Sequence, residues 1–210
     1  MSTFGFYFDS NSCSGCKTCQ IACKDKNDLA GGIRFRRVYE VSGAQWTKTD
    51  EGAWEHDIVA YNLSIACNHC EDPSCVKACP TEAMFIQPDG IIEIDPKKCI
   101  GCKYCEWACP YGAPQYNRQK GIMQKCNFCR DYILEGKMPV CVSACPMRAL
   151  EFGPISQLIE KYGDNRSVYP LPDQALTKPS LFIKPHPGAS RAHELGASII
   201  NREEVKNEQQ

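Results

Sequence analysis

The chain has 210 residues, with 24 basic and 25 acidic side chains and a formal net charge of −1, and without a polybasic run it lacks the electrostatic footprint of a nucleic-acid binder. The best apolar run, from Ile58 to Ala66, is interrupted by Asn62 and falls well short of the ~18 consecutive apolar residues of a membrane span. Sixteen cysteines suit metal ligation better than disulfides, because the first residues, MSTFGFYFDS, show neither a signal peptide nor a twin arginine, and thiols in a reducing compartment stay reduced. The expectation is a chain with no export signal of its own.

In chain order, FGFYFD is read as a strand near Phe4–Phe8, followed by a first cysteine group, Cys13, Cys16, Cys19 and Cys23, with C-x2-C-x2-C-x3-C spacing. Residues 33–66 alternate apolar and polar in IRFRRVYEV and DIVAYNLSI around a polar GAQWTKTDEG, which predicts a β-hairpin extension bearing Trp46 and Trp54. The second group is Cys67, Cys70, Cys75 and Cys79, one gap widened to four residues. Next, Phe85–Ile86 and Ile91–Ile94 flank Pro88-Asp89-Gly90, the signal of a short hairpin. The third group, Cys99, Cys102, Cys105 and Cys109, repeats the spacing of the first, and the fourth, Cys126, Cys129, Cys141 and Cys145, widens the middle gap to eleven. A strand near Ala149–Phe152 follows, then a helix over PISQLIEKY, residues 154–162, with Pro154 at its start and Gly163 past its end. From Tyr169 the chain is proline-rich and aperiodic, read as an extended arm lying on a partner or on the body, ending in a mobile tail from about Glu194.

Every group ends in x3-C, and a proline (Pro80, Pro110, Pro146) follows in all but the first, where Lys24 stands. Three thiolates from one tight loop suit three corners of a cubane, and the proline-tagged fourth is expected to start a helix and reach a neighbouring cluster. Zinc takes four-cysteine sites from two separated knuckles and explains neither the crowding nor the C-P repeat. His69, between Cys67 and Cys70, is the one conceivable substitute ligand, but four cysteines are already present; His56, His186 and His193 have no motif around them and are read as surface residues.

The chain also repeats itself. FYFDSNSCSGC matches IEIDPKKCIGC, aligning Asp9 with Asp95, and CPMRALEF matches CPTEAMFI. The outer text therefore looks like the inner one with its hairpin cut open, so the strand near Phe4–Phe8 is expected to pair with that near Ala149–Phe152. The expected fold is α+β: an inner ferredoxin-like module, residues 67–119, inserted into a circularly permuted outer one, residues 1–32 plus 120–165, with the 33–66 hairpin and a 166–210 arm and tail. If each fourth cysteine crosses within its pair, four [4Fe-4S] clusters result. Cluster 1 takes Cys13, Cys16, Cys19 and Cys145; cluster 2, Cys23, Cys126, Cys129 and Cys141; cluster 3, Cys67, Cys70, Cys75 and Cys109; cluster 4, Cys79, Cys99, Cys102 and Cys105.

No G-x-G-x-x-G, P-loop or nucleophile–base pair is present, so the expected role is one-electron transfer between partners, not catalysis. The four groups in this order, with CNHCEDPSCVKACP, CIGCKYCEWACPYGAPQYN and CNFCRDYILEGKMPVCVSACP, resemble the iron–sulfur subunits of bacterial dimethyl sulfoxide reductases, within the wider family of four-cluster subunits of molybdopterin oxidoreductases. The likeness covers residues 4 to about 187, and SGCKTCQIACKD, FRRVYE and YGAPQYN point to that branch. It implies a heterotrimer with a molybdopterin catalytic subunit that reduces dimethyl sulfoxide or related S- and N-oxides and a quinol-oxidising membrane anchor. It also implies the outer cluster pair facing the catalytic subunit, and co-export with that subunit to the periplasmic face of the inner membrane. Cys102 stands where some nitrate reductase relatives carry a tryptophan and a three-iron cluster. The same relay in a thiosulfate, polysulfide, tetrathionate or other oxyanion reductase is the alternative, and a zinc scaffold is the alternative of another class.

Overall fold

The computed structural model describes residues 3–205; Met1, Ser2 and the last five residues of the expected tail lie outside the described residues. In chain order it comprises β1 (Phe4–Asp9), α1 (Thr18–Lys26), β2 (Arg37–Lys48), β3 (Trp54–Ile65), α2 (Ser74–Lys77), β4 (Met84–Ile86), β5 (Ile92–Ile94) and α3 (Tyr104–Ala108). There follow β6 (Gln115–Asn117), β7 (Ile122–Gln124), α4 (Arg130–Leu134), α5 (Val140–Ser143), β8 (Leu150–Pro154), α6 (Ile155–Tyr162), β9 (Leu181–Lys184) and β10 (Ser198–Ile199).

β1 is the middle strand of a sheet in the order β8-β1-β9, and its composition follows from being covered on both faces. Phe6 and Phe8 enter the main apolar core with Leu63, Ile65 and Phe152, while Tyr7 turns to Leu158 of α6 and Phe182 of β9. The Tyr7 and Tyr162 rings stack with centroids 3.5 Å apart. β1 pairs antiparallel with β8 from Phe4↔Pro154 to Phe8↔Leu150, the pairing that the repeat led us to expect. Gly5 is needed there, because a Cβ would stand 2.7 Å from the Ser180 carbonyl oxygen.

β2 and β3 form the expected hairpin, in register from Arg37↔Ile65 to Lys48↔Trp54. Val38, Val41, Val59, Tyr61 and Leu63 are in the core near its base, whereas Trp46 and Trp54 at the far end are 58% and 63% exposed. The inner hairpin forms as β4–β5, with Gly90 at φ 80° in its turn, where a left-handed residue favours glycine. A further hairpin, β6–β7, was not anticipated; it straddles the expected boundary between residues 119 and 120, and Met123 packs with Met84 and Ile92.

Two expectations need correction. The fourth cysteines do not start helices: α2, α3 and α5 end before Cys79, Cys109 and Cys145. A residue preceding proline is pushed out of the α region, and Cys109 is extended at φ −85°, ψ 114°. The tail beyond Glu194 is not loose as far as Val205 either. Beyond Glu194, β10 pairs with β2, and Asn201 accepts from the Glu40 N–H and donates to the Val38 carbonyl; in the arm before it, β9 adds to β1 in parallel. Proline content alone gave no sign of these partners, which lie far off in sequence. Among the described residues, no helix is long and apolar enough to cross a membrane.

Candidate metal centres

Each C-x2-C loop is bent by residues in the left-handed region. These are Gly15 and Lys17 in the first group (φ 71° and 60°), His69 in the second (42°), Gly101 and Lys103 in the third (68° and 65°), and Phe128 and Cys129 in the fourth (60° and 54°). In the first and third groups, where left-handed residues alternate with right-handed ones, such a backbone forms a concavity of N–H groups of the kind that cradles anionic sulfur. Amide donors reach the thiols at 3.4 Å in three places: Met84 N–H to Cys79, Met123 N–H to Cys99 and Phe128 N–H to Cys126. Cys16 Sγ lies 3.3 Å from the Thr18 hydroxyl.

The prolines have a visible consequence at the ends of the groups. Third after each proline-tagged cysteine comes another left-handed residue, Glu82, Gly112 or Arg148, so the chain turns away at once. In the first group Lys24 replaces proline and α1 runs on through Cys23 to Lys26, while Lys24 Nζ donates to the carbonyls of Leu29 and Ala30 at 3.0 and 2.8 Å.

One cavity is lined by Cys13, Cys16, Cys19 and Cys145, walled by Phe8, Val38 and Leu150. A second is lined by Cys23, Cys126, Cys129 and Cys141, with Phe6, Arg36 and Phe128 among its walls. In the inner region the thiols acting on Cys75 are those of Cys67, Cys109 and Cys70, and those acting on Cys105 are Cys99, Cys79 and Cys102. At the junction, Cys23 and Cys126 share a small apolar cluster with Cys67 and Cys109.

Burial pushes most of these thiols up, Cys13 to about 11 and Cys23, Cys70 and Cys105 to about 12. Cys16 goes the other way because hydrogen bonds from Thr18 favour its thiolate. The buried thiols therefore hold their protons until a cation displaces them, and loading releases protons. Among the described residues, no three His, Cys, Asp or Glu side chains converge on a single-ion site. Four thiolates on one zinc would sit about 3.8 Å apart; the two outer sets instead border cavities, the fit expected for a bulky polynuclear group.

His69 is buried, its Nδ1 accepts the Ile92 N–H at 2.9 Å, and its ring stacks on Phe128 at 3.7 Å. Burial and the nearby Lys125 ammonium keep it neutral. His56 and His193 are exposed and His186 is half-buried.

The sequence reading passed over three buried cations, Arg36, Arg37 and Lys125. Arg36 donates through Nη1 to the Ser64 carbonyl and hydroxyl at 3.2 and 3.0 Å, while Nε and Nη2 have no protein partner. Burial opposes its charge, but its electrostatic attraction to the cysteines Cys141, Cys19, Cys126 and Cys23 outweighs burial and raises its pKa. Arg37 donates to the Tyr111 carbonyl, and Lys125 to the carbonyls of Ile92 and Cys126. For Arg36 and Arg37 the available signal was the run of basic residues in RFRR just where the hairpin begins; Lys125 had none.

A 4Fe-4S dicluster domain model matches residues 58–155. The chain is 50% identical over 202 residues to the B subunit of the anaerobic dimethyl sulfoxide reductase of Escherichia coli (strain K12), covering 96% of this chain and 98% of that one. It is 49% identical over 205 residues to the subunit of the same name from Haemophilus influenzae, covering 98% of this chain and 100% of that one. The thiosulfate reductase electron transfer subunit of Salmonella typhi is 39% identical over 163 residues, covering 77% and 81% respectively.

Proposed function

The chain belongs to the family of iron–sulfur B subunits of anaerobic dimethyl sulfoxide reductases, and on that premise we propose that it relays electrons through four [4Fe-4S] clusters to a catalytic partner. The observation that carries the reading is that Cys13, Cys16, Cys19 and Cys145 line one cavity and Cys23, Cys126, Cys129 and Cys141 another, each drawn from loops far apart in sequence. The clusters are held by Cys13, Cys16, Cys19 and Cys145; by Cys23, Cys126, Cys129 and Cys141; by Cys67, Cys70, Cys75 and Cys109; and by Cys79, Cys99, Cys102 and Cys105. In this arrangement the inner cysteines form one ferredoxin-like module inserted into a permuted outer one.

When bound, such clusters supply one-electron redox chemistry, at potentials set by hydrogen bonds to sulfur, burial and net charge. The chain's own part is to hold the thiolates, exclude water and aim donors at them. Phe8, Val38 and Leu150 wall off the first set, and the amides of Met84 and Met123 address Cys79 and Cys99 of the last. With all four ligands from cysteine, no coordination position is left open for a substrate, so catalysis belongs elsewhere. The cysteines shared at the junction, Cys126 and Cys67, give the outer and inner sets a short crossing.

The partners are a molybdopterin subunit reducing dimethyl sulfoxide or related S- and N-oxides, facing the outer sets, and a quinol-oxidising membrane anchor facing the inner ones. Ile100, Tyr104 and Trp107, all more than half exposed beside the third cysteine group, offer apolar surface for the anchor. The complex sits at the periplasmic face of the inner membrane, reached by export with the catalytic subunit. The likeness to the thiosulfate reductase subunit favours, as a second reading, the same relay with a different oxyanion or sulfur substrate.

Anaerobically purified protein should carry about sixteen iron and sixteen acid-labile sulfide per chain. Stoichiometric zinc without sulfide would overturn the reading. Co-expression with the catalytic and anchor subunits should give quinol-driven sulfoxide reduction that the lone chain lacks; thiosulfate reduction instead would select the second reading.

A further inference from the structure

Arg36 is 1% exposed. Through Nη1 it holds the Ser64 hydroxyl, itself 3.4 Å from Cys19 Sγ of the first set. The same side chain lines the cavity of the second set beside Cys23, Cys126 and Cys141. Among the described residues no carboxylate pairs with it, and the Phe6 ring lies 4.5 Å from the guanidinium carbon. A buried guanidinium without an anion is costly, and two of its nitrogens have no protein acceptor. Arginine cannot shed its proton to escape that cost. What it meets is cysteine sulfur, at the cavity of the second set and, through the Ser64 hydroxyl, at Cys19 of the first.

We propose that Arg36 is a counter-charge shared by the two outer clusters, holding the reduction potential of both above the values their cysteines alone would set. The inference rests on the ligand sets proposed above. Each reduction adds one electron, and so one negative charge, to a cluster beside a fixed cation, so the reduced form gains more from the guanidinium than the oxidised form does. At an effective dielectric of about 20 a unit charge within several ångströms outweighs RT several-fold.

The test is a potentiometric titration of the cluster-loaded full chain, followed by electron paramagnetic resonance, for the wild type, Arg36→Gln and Arg36→Lys. Arg36→Gln should lower both outer midpoints, changing the oxidised-to-reduced ratio at the wild-type midpoint at least tenfold, which is 59 mV for a one-electron couple. The two inner midpoints should stay in place, and Arg36→Lys, which keeps the charge, should restore most of the outer shift. Unchanged outer midpoints in a fully loaded Arg36→Gln, or an equal drop in Arg36→Lys, would overturn the proposal while leaving the ligand sets standing. A wild type without four cluster signals would instead sink the ligand sets. If Arg36→Gln fails to load, wild-type protein with 15N in its arginine side chains decides the matter. Nitrogen modulation of the spin echo from both outer clusters supports the proposal, and its absence from both overturns it.

Discussion

The outer and inner cysteine regions share a loop design but are stabilised in different ways. Around the outer sets lies an apolar core that includes Phe6, Phe8, Leu63, Ile65, Phe128 and Phe152, anchored by the β8-β1-β9 sheet. Around the last inner set the buried apolar cluster is Cys75, Met84, Ile92, Cys105 and Met123, two of its five members being thiols themselves. The outer region closes over most of the length of the chain, pairing Phe8 with Leu150; the inner closes locally through three-residue strands. A conventional protein core supports one, and bound metal must support much of the other.

The largest effect should come from iron removal. Anaerobic chelation should release amide protection and protease resistance across residues 67–124, while β1, β8 and the base of the β2–β3 hairpin keep part of theirs. Uniform loss in both regions would erase the contrast. Next in size is truncation of the outer core: Phe8→Ala should cost about 3–5 kcal/mol in denaturant unfolding of the loaded protein, with Phe8 fully buried. The outer cluster signals should be lost at lower denaturant than the inner ones.

The matched loop glycines sharpen the comparison further. Gly15 and Gly101 both sit near φ +70°, so alanine at either costs about 1–2 kcal/mol from the left-handed backbone alone. At Gly15 an added Cβ first meets the Asn62 side chain, whereas at Gly101 it first meets the backbone carbonyl of Gly121, which cannot step aside. Gly101→Ala should therefore lose iron from the inner region faster than Gly15→Ala loses it from the outer, followed by the decay of visible absorbance; equal rates would contradict this.

The smallest effect concerns the ion pair of Lys26 with Asp131, N···O 2.6 Å, which ties α1 to α4. Asp131→Asn should cost a few tenths of a kcal/mol, since the carboxylate is more than half exposed and well screened. Lys26 lowers the Asp131 pKa, so the contribution is present above the unfolded-state value of ~3.9 and fades as pH falls below it. Urea midpoints of wild type and variant should differ at pH 6 and converge in acid.

Much of this organisation was legible in the residues. The cysteine spacing marked the loops, the alternation in IRFRRVYEV marked the hairpin, and the recurrence of C-P-x-x-A with a strand behind it marked the β1–β8 pairing. The helix ends were misread because proline after cysteine was taken as a start signal, whereas its steric demand on the preceding residue made it a stop. β9, β10 and the Glu204–Gln20 contact escaped notice because their partners lie far off in sequence, and a proline-rich text has no periodicity to reveal them. Arg36, just before β2, escaped because a basic residue in a polar-apolar alternation is ordinarily a solvated one.

The central claim is that the fourth group's last cysteine serves the first group's cluster, and the structure of the iron-loaded protein tests it most directly. The account predicts an iron atom bonded to Cys145 within the cube held by Cys13, Cys16 and Cys19; an iron–Cys145 bond in the cube held by Cys126 and Cys129 would contradict it.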